Sequence, residues 1–273
     1  MKNTNLINTN SRTNLPAHQA TRSTRALRTR HAGILGRRSK WWVTATSPNG
    51  VQPPWERIIL IHQALEARSY PNAIRPVLQV IPRRPGLSVV AGLYLMLFKN
   101  RTLLFADTTV NVDPSAEELA EIAILSAEMG EFFGMQPRVA MLSFSNFGNA
   151  RHPLSSKVAR AVDLARTRKP DLAIDGEMHA DTAVVPEMLS NMYPFNRLGG
   201  PANILIFPNL DSGNIAYKLM DRAGGAKAVG PLLMGLSKPF NVLQRNTDME
   251  SVVNVITVTV VQTRYLDFSK APA

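Results

Sequence analysis

Three short segments hold the residue types that could do chemistry. The first reads Ser143-Phe144-Ser145-Asn146-Phe147-Gly148-Asn149, the second Asp175-Gly176-Glu177-Met178-His179-Ala180-Asp181, and the third Pro208-Asn209-Leu210-Asp211-Ser212-Gly213-Asn214. Small residues let backbone N–H groups approach a ligand, and a helix opening after such a loop favours an anion such as phosphate at its N-terminus. Ser145, Asn146, Gly148 and Asn214 are the candidate substrate-binding residues of these loops. Turns and helix caps draw on the same residue types. Asp175, Glu177, His179 and Asp181 match no metal-ligand spacing, and alternate residues of an extended segment point opposite ways. Capping and loop-fixing hydrogen bonds are expected of them, and no metal is expected.

Such loops need strands before them and helices after them. LYLMLF (93–98) and TLLFADTTV (102–110) read as strands of a hairpin turning at Lys99-Asn100-Arg101. A helix follows, opened by a capping box of Ser115 and Glu118, striped by Leu119, Ile122, Leu125 or Ser126, and Met129, and stopped at Gly134. RVAMLSF (138–144), LAID (172–175), NILIFP (203–208) and LLMGL (232–236) are further strands. Helices are expected over 155–168, from about 182 to 191, and over 213–224. Strands apolar on both faces, alternating with helices, predict an α/β fold: a mostly parallel sheet with helices on both faces. In such sheets ligands gather beyond the carboxyl ends of the strands, where the three loops fall. ESVVNVITVTVV (250–261) is rich in β-branched residues, so propensity favours a strand, with a buried helix as the alternative. Met178, Met188, Met192, Met220 and Met234 read as core filling. Gly224, Gly225 and Gly230 lack the spacing of a dinucleotide fingerprint.

Composition divides the 273 residues into unlike parts. Residues 1–86 carry 14 of the 31 Lys and Arg, but of the acids only Glu56 and Glu66. Residues 87–273 are nearly neutral, so the formal charge of +11 belongs to the first third. That excludes a general polyanion binder for the larger part. The first third also holds all three Trp and is cut up by prolines; only RIILIHQALEAR (57–68) offers a helix. Residues 1–86 are read as basic, Pro- and Arg-rich sequence that is disordered or non-native, with a nucleic-acid arm and an organelle transit peptide as the alternatives. Residues 87–265 are the ordered module, and 266–273 a tail. The absence of cysteine excludes disulfides, thiolate metal sites and a cysteine nucleophile. No 18-residue apolar run and no signal-peptide shape occur, and a cytoplasmic location is expected.

DGEMHADTAVVPEM (175–188), GPANILIFPNLDSGNIAYKL (200–219) and GPLLMGLSKPFNVLQR (230–245) resemble the phosphate acetyl/butyryltransferase, or phosphotransacetylase, family. The resemblance covers about 87–265, like the later half of a family member. It implies an enzyme that moves an acetyl group between phosphate and coenzyme A in a cleft between two α/β subdomains. In that family an Arg polarises the acyl phosphate, a Ser before it assists binding, and an Asp six residues after it takes the thiol proton. Arg245 stands at the arginine position, while Gln244 replaces the serine and Ser251 the aspartate. A hydroxyl is no base toward a thiol without an activating neighbour. Asp248 and Glu250 are nearby acids, but on a helix neither points where residue 251 does. Little or no transacetylase activity is expected.

Gln244, SFSNFGN and YPFNRLGGPANILIFPNLD are more similar to one branch, the C-terminal module of hybrid NADP-dependent malic enzymes. That likeness implies a regulatory and assembly module with acetyl-CoA or acetyl phosphate as ligand, no cofactor of its own, and a homo-oligomeric state. The malate-decarboxylating part of such an enzyme would be its missing partner. An active phosphate acyltransferase and a non-functional truncated fragment are the alternatives. Gln244 and Arg245 join the candidate substrate-binding residues on this resemblance.

Overall fold

The computed structural model describes residues 59–62, 81–243 and 247–265. The Arg- and Trp-rich stretch up to Trp55, Gln244, Arg245 and the tail 266–273 lie outside them. Among the described residues, eight strands form one sheet in the order β1-β8-β7-β2-β3-β6-β4-β5. They are β1 (Ile59–His62), β2 (Ala91–Leu97), β3 (Thr102–Ala106), β4 (Val139–Leu142), β5 (Ile174–Met178), β6 (Ile204–Ile206), β7 (Lys227–Met234) and β8 (Phe240–Leu243). The helices are α1 (Ala116–Phe132), α2 (Pro153–Arg168), α3 (Ala180–Val184), α4 (Pro186–Met192), α5 (Leu210–Arg222) and α6 (Met249–Tyr265).

Period-two alternation divides the core between the two faces. Leu93, Leu104, Ala106, Val139, Met141, Ile204 and Ile206 pack with α1 and α2 on one face. Tyr94, Met96, Leu103, Phe105, Ala140, Leu142 and Leu205 pack on the other with Ala183, Leu189 and Tyr217, from α3, α4 and α5. The result is a three-layer α/β arrangement. β3, β6, β4 and β5 are parallel neighbours, as are β1 and β8, whereas β2 runs antiparallel to β3 and β7, and β7 to β8. The expected α/β class holds; the 93–110 hairpin brings in two of the antiparallel pairs, and the turn from β7 to β8 the third.

Helix α1 starts and stops as its sequence dictates. The Ser115 Oγ accepts the Glu118 N–H at 3.2 Å while the Glu118 carboxylate accepts the Ser115 N–H at 2.8 Å. At the other end Gly134 takes φ +73°, and the N–H groups of Gly134 and Met135 return to the carbonyls of Glu131 and Gly130. The helix is buried on nearly every side, through Ala120, Ala123, Ile124 and Ala127 as well as the expected stripe.

Other expectations are corrected. Within 57–68 the structure places strand β1, paired in parallel with β8 at Ile59↔Phe240 through His62↔Leu243; an edge partner overrides local helix propensity. Residues before Gly86 are knit into the core, with Ile81 buried and Arg84 bonded to Glu128 at 2.8 Å. The strand read over 102–110 ends at Ala106 because the Asp107 carboxylate draws the next N–H groups to itself. The helix expected from 182 to 191 is two short ones, since Pro186 opens a new helix and has no N–H to continue the old. Of the expected core methionines, Met192 is exposed.

The 250–261 segment is helical. Val255, Thr259 and Gln262 recur at helical spacing on its buried face, and the hydroxyls of Thr257 and Thr259 donate to carbonyls four residues back. The decisive partner is Asn241 of β8, fully buried. Its Nδ2 donates to Thr259 Oγ1 at 2.8 Å and Gln262 Oε1 at 2.9 Å, while its Oδ1 accepts the Leu233 N–H at 2.8 Å. These bonds form only if 250–261 is helical, and a buried polar knot left open is costly. Asn241→Leu is therefore expected to destabilise the chain by about 2–4 kcal/mol, read as a lower urea midpoint.

Candidate functional site

β3, β6, β4 and β5 run the same way, so their carboxyl ends meet at one edge of the sheet. The loops after β4 and β6 leave from that edge, but the segment read as a loop over 175–181 is mostly strand: β5 continues to Met178 and a helix opens at Ala180. Chain leaving a strand carries N–H groups without a ladder partner, and each must find an acceptor. Here buried carboxylates supply them.

Asp107, 1% exposed, follows β3. Its Oδ1 accepts the N–H groups of Gly92, Thr109 and Val110 at 3.0, 2.8 and 3.1 Å, and its Oδ2 accepts that of Asn111 at 2.8 Å. Burial pushes its carboxyl above the usual aspartate range, and the N–H donors, Thr109 and Asn111 first, pull it back. α5 docks on this turn: Asn214 Nδ2 donates to the Thr108 carbonyl at 3.1 Å, and a side chain at Gly213 would run into the Asp107 carbonyl. Asn209 caps α5 by accepting the Ser212 N–H.

Glu177, 3% exposed on β5, organises the loop after β4. Its Oε1 accepts the Ser145 hydroxyl at 2.7 Å and the Gly148 N–H at 2.6 Å, and its carbonyl accepts the Phe147 N–H at 2.7 Å. Asn146 Oδ1 accepts the His179 N–H at 2.8 Å, closing the loop onto β5 from the other side. Phe147 is held at φ +50°, a left-handed conformation that costs a side chain about 1–2 kcal/mol. Two residues earlier on β5, Asp175 binds the Arg166 guanidinium and the Gly176 N–H through Oδ1 and the Arg197 N–H, at 2.7 Å, through Oδ2. Loop fixing, expected for Asp175 and Glu177, is what these bonds do.

Ser145, Asn146 and Gly148 are thus brought together, with their hydrogen bonds directed at β5; Asn214 is directed at Thr108. An external anion at Ser145 and Gly148 would have to compete with the carboxylate of Glu177. Sequence reasoning missed Asp107, and the signal was its place as the lone acid after an apolar run, TLLFADTTV.

Gln244 and Arg245 lie outside the described residues, whereas Ser251 lies within them. β8 is antiparallel to β7, so Leu243 leads away from the edge just described. α6 begins beside Lys227, the first residue of β7, which pairs with Glu250. Ser251 therefore stands at the opposite end of the sheet from Ser145 and Glu177. Asp248 accepts both the N–H of Ser251, at 2.8 Å, and its hydroxyl, at 3.1 Å, in the manner of a helix cap. Those two bonds hold the Asp248 carboxyl below the usual aspartate range, which makes it a poorer base.

The sequence model of phosphate acetyl/butaryl transferase matches residues 66–260. The chain belongs to this family. It is 43% identical over 198 residues to a phosphate acetyltransferase of Clostridium acetobutylicum, covering 70% of this chain and 60% of that protein. It is 41% identical over 196 residues to one of Bacillus subtilis, covering 72% and 61%. The crystal structure of a phosphotransacetylase from Streptococcus pyogenes superposes with a TM-score of 0.72 at 39% identity, over 77% of this chain and 64% of that one. The chain thus spans about three fifths of these relatives, and the family-model match starts at residue 66, ahead of the change in composition near Gly86. Among the described residues no helix is long and apolar enough to cross a membrane.

Two outcomes follow from the carboxylates. Asp107→Asn turns one acceptor oxygen into a donor that faces the Asn111 N–H, and should lower stability by about 2–4 kcal/mol in denaturant unfolding. Asp248 has a lowered pKa in the fold, so its stabilisation of α6 is present above the ordinary aspartate value and is lost as pH falls through the lowered one. An NMR titration should show the Asp248 carboxyl ionising below the ordinary value, with the Ser251 amide losing exchange protection in the same step; Ser251→Ala should move the Asp248 value back up.

Proposed function

We propose that this protein handles acetyl phosphate and coenzyme A and transfers the acetyl group between them. The observation that carries the reading is identity of 41–43% to proteins named phosphate acetyltransferase over about 70% of the chain. In the forward step the thiol sulfur attacks the acetyl carbonyl, the C–O bond to phosphate breaks, and the thiol proton passes to a base. The acyl phosphate is anionic, and Arg245 at the family's arginine position is the group that would polarise it and meet the charge developing in the transition state. Gln244 can donate a hydrogen bond where the family has a serine. Ser251 stands where the family has its base, and its hydroxyl is tied to a carboxylate whose own basicity is lowered. Turnover is accordingly slow. The reading asks for no resident metal or cofactor and takes the protein to act in the cytoplasm as a homo-oligomer.

A second reading is favoured by Gln244 and Ser251 themselves and by the YPFNRLGGPANILIFPNLD block. In it the chain binds acetyl-CoA as a regulatory and assembly module of an NADP-dependent malic enzyme. Loss of the base matters to catalysis and not to binding, which is why the substitutions suit this role.

The test is coenzyme-A-dependent phosphate release from acetyl phosphate by the purified full chain. Slow release is expected, abolished in Arg245→Ala and raised about a hundredfold in Ser251→Asp, the scale of a positioned base. No release by either the parent chain or Ser251→Asp overturns acyl transfer. Thermal stabilisation by acetyl-CoA in that case supports the second reading, and its absence points to a non-functional fragment.

A further inference from the structure

Helix α2 opens on a cap that can titrate. Its N-cap is His152, whose Nδ1 accepts the Leu154 N–H at 3.2 Å, where Ser, Thr, Asp or Asn is the common choice. An imidazole accepts there only while Nδ1 carries no proton, which puts the ring hydrogen on Nε2. A serine or asparagine cap has no such condition. Pro153 follows and has no N–H, so Leu154 is the first amide of the helix that needs an acceptor.

The cap is the outer end of a chain of hydrogen bonds that runs inward. The His152 N–H donates to Ser155 Oγ at 3.3 Å, and the Ser155 hydroxyl is shared between the carbonyls of Ala150, at 2.7 Å, and His152, at 2.9 Å. The Ala150 N–H donates to Ser145 Oγ at 3.1 Å. The Ser145 hydroxyl in turn reaches the buried Glu177 at 2.7 Å and Asn149 Oδ1 at 3.0 Å. His152 is exposed, whereas Ser155 and Ser145 are buried. Two buried serines thus join the first turn of α2 to the loop after β4. A buried hydroxyl that loses one partner is costly, so opening at one end of the chain is passed to the other.

The surroundings of the ring do not favour a cation on it. The positive end of the α2 dipole lies at the cap, Arg151 precedes it, and the first turn of the helix holds no acid. Lys157, further along α2, is held by Asp113. From the loop after β4 the group set against the imidazole is the Phe144 ring, roughly perpendicular to it with centroids 5.6 Å apart. Across that loop the titratable groups are Glu177 and His179, the N–H of His179 being taken by Asn146. Among the described residues no carboxylate forms an ion pair with His152. A proton on Nδ1 would also set the ring N–H against that of Leu154. We infer that His152 is a proton-operated latch: neutral, it closes the first turn of α2 onto loop 145–150; protonated, it leaves the cap and releases that turn and the loop together. The loop carries Ser145, Asn146 and Gly148, so pH reaches the candidate binding residues through this cap. The latch belongs to the fold and does not depend on acyl transfer.

Amide exchange of the full chain, followed by NMR from about pH 8 to about pH 5, the span over which an imidazole takes up its proton, tests the latch. Each rate is divided by the intrinsic rate of that amide at the same pH. Protection of Leu154, Ala150 and Gly148 should fall together, at least about fivefold, in step with the His152 ring signals. His152→Asn keeps an acceptor at the cap and has nothing there to titrate, so all three amides should stay protected across the range. His152→Ala should leave them open at both ends of it. Val162, in the middle of α2, should stay protected throughout. The inference is overturned if protection in the parent does not follow the ring of His152. It is equally overturned if protection falls as far in His152→Asn, which would pass the effect to His179 or Glu177. A response of Leu154 alone would make His152 an ordinary cap, and a simultaneous loss at Val162 would make the change a global unfolding; either result ends the proposal.

Discussion

Backbone N–H groups released at the end of a strand need acceptors, and in this protein buried carboxylates meet that need. The β3 end is gathered by Asp107, the loop after β4 by Glu177, and the Arg197 turn by Asp175. Charge-assisted bonds of this kind are roughly twice as strong as neutral ones, and a water-excluded setting strengthens them further. That arrangement fixes the loops without any ligand. It also sets their electrostatics, because the donors that an anion would seek at Ser145 and Gly148 are already engaged by Glu177. The edge is thus fixed from within by carboxylates, while Arg151 and Arg197 are exposed.

The same logic operates away from the edge. Asn241 uses both its amide donors and its carbonyl to tie β7, β8 and α6 together. A buried amide with every group satisfied specifies one arrangement, since a shifted strand or an unwound helix leaves several polar groups stranded at once. α6 is therefore a helix because of what it packs on. Its threonines, unfavourable for helix in isolation, return their hydroxyls to carbonyls of the preceding turn and so leave no polar atom unpaired against the sheet.

Local chemistry is legible in the amino-acid sequence, and long-range pairing is not. The Ser115–Glu118 box and the Gly134 stop depend on neighbours within a few residues, and the structure contains both. The alternation of strands and helices also holds, because apolar runs flanked by turn residues have few other uses. Strand β1 escapes a local reading, since its pattern becomes a strand only beside β8, which lies toward the other end of the chain. Asp107 looks like the tail of an apolar strand, although a carboxylate there can end a strand by drawing in the N–H groups that follow. Of the candidate site, residue type is enough to find Ser145, Asn146 and Gly148, but their partner Glu177 lies 32 residues from Ser145 and only the fold brings the two together.

The two ends of the sheet therefore present different problems. At the end where β7 begins, Asp248 and Glu250, the acids nearest Ser251, are occupied by structural bonds, one capping α6 and the other paired with Lys227. A carboxylate that is held ionised by two donors resists taking up a proton. At the other end the carboxylates are occupied in the same way, yet the bonds they make leave aromatic surface and cations exposed on a fixed frame. The chain keeps the scaffold of the phosphate acetyl/butaryl transferase family, with the loops at the carboxyl ends of β4 and β5 fixed by carboxylates of the fold itself.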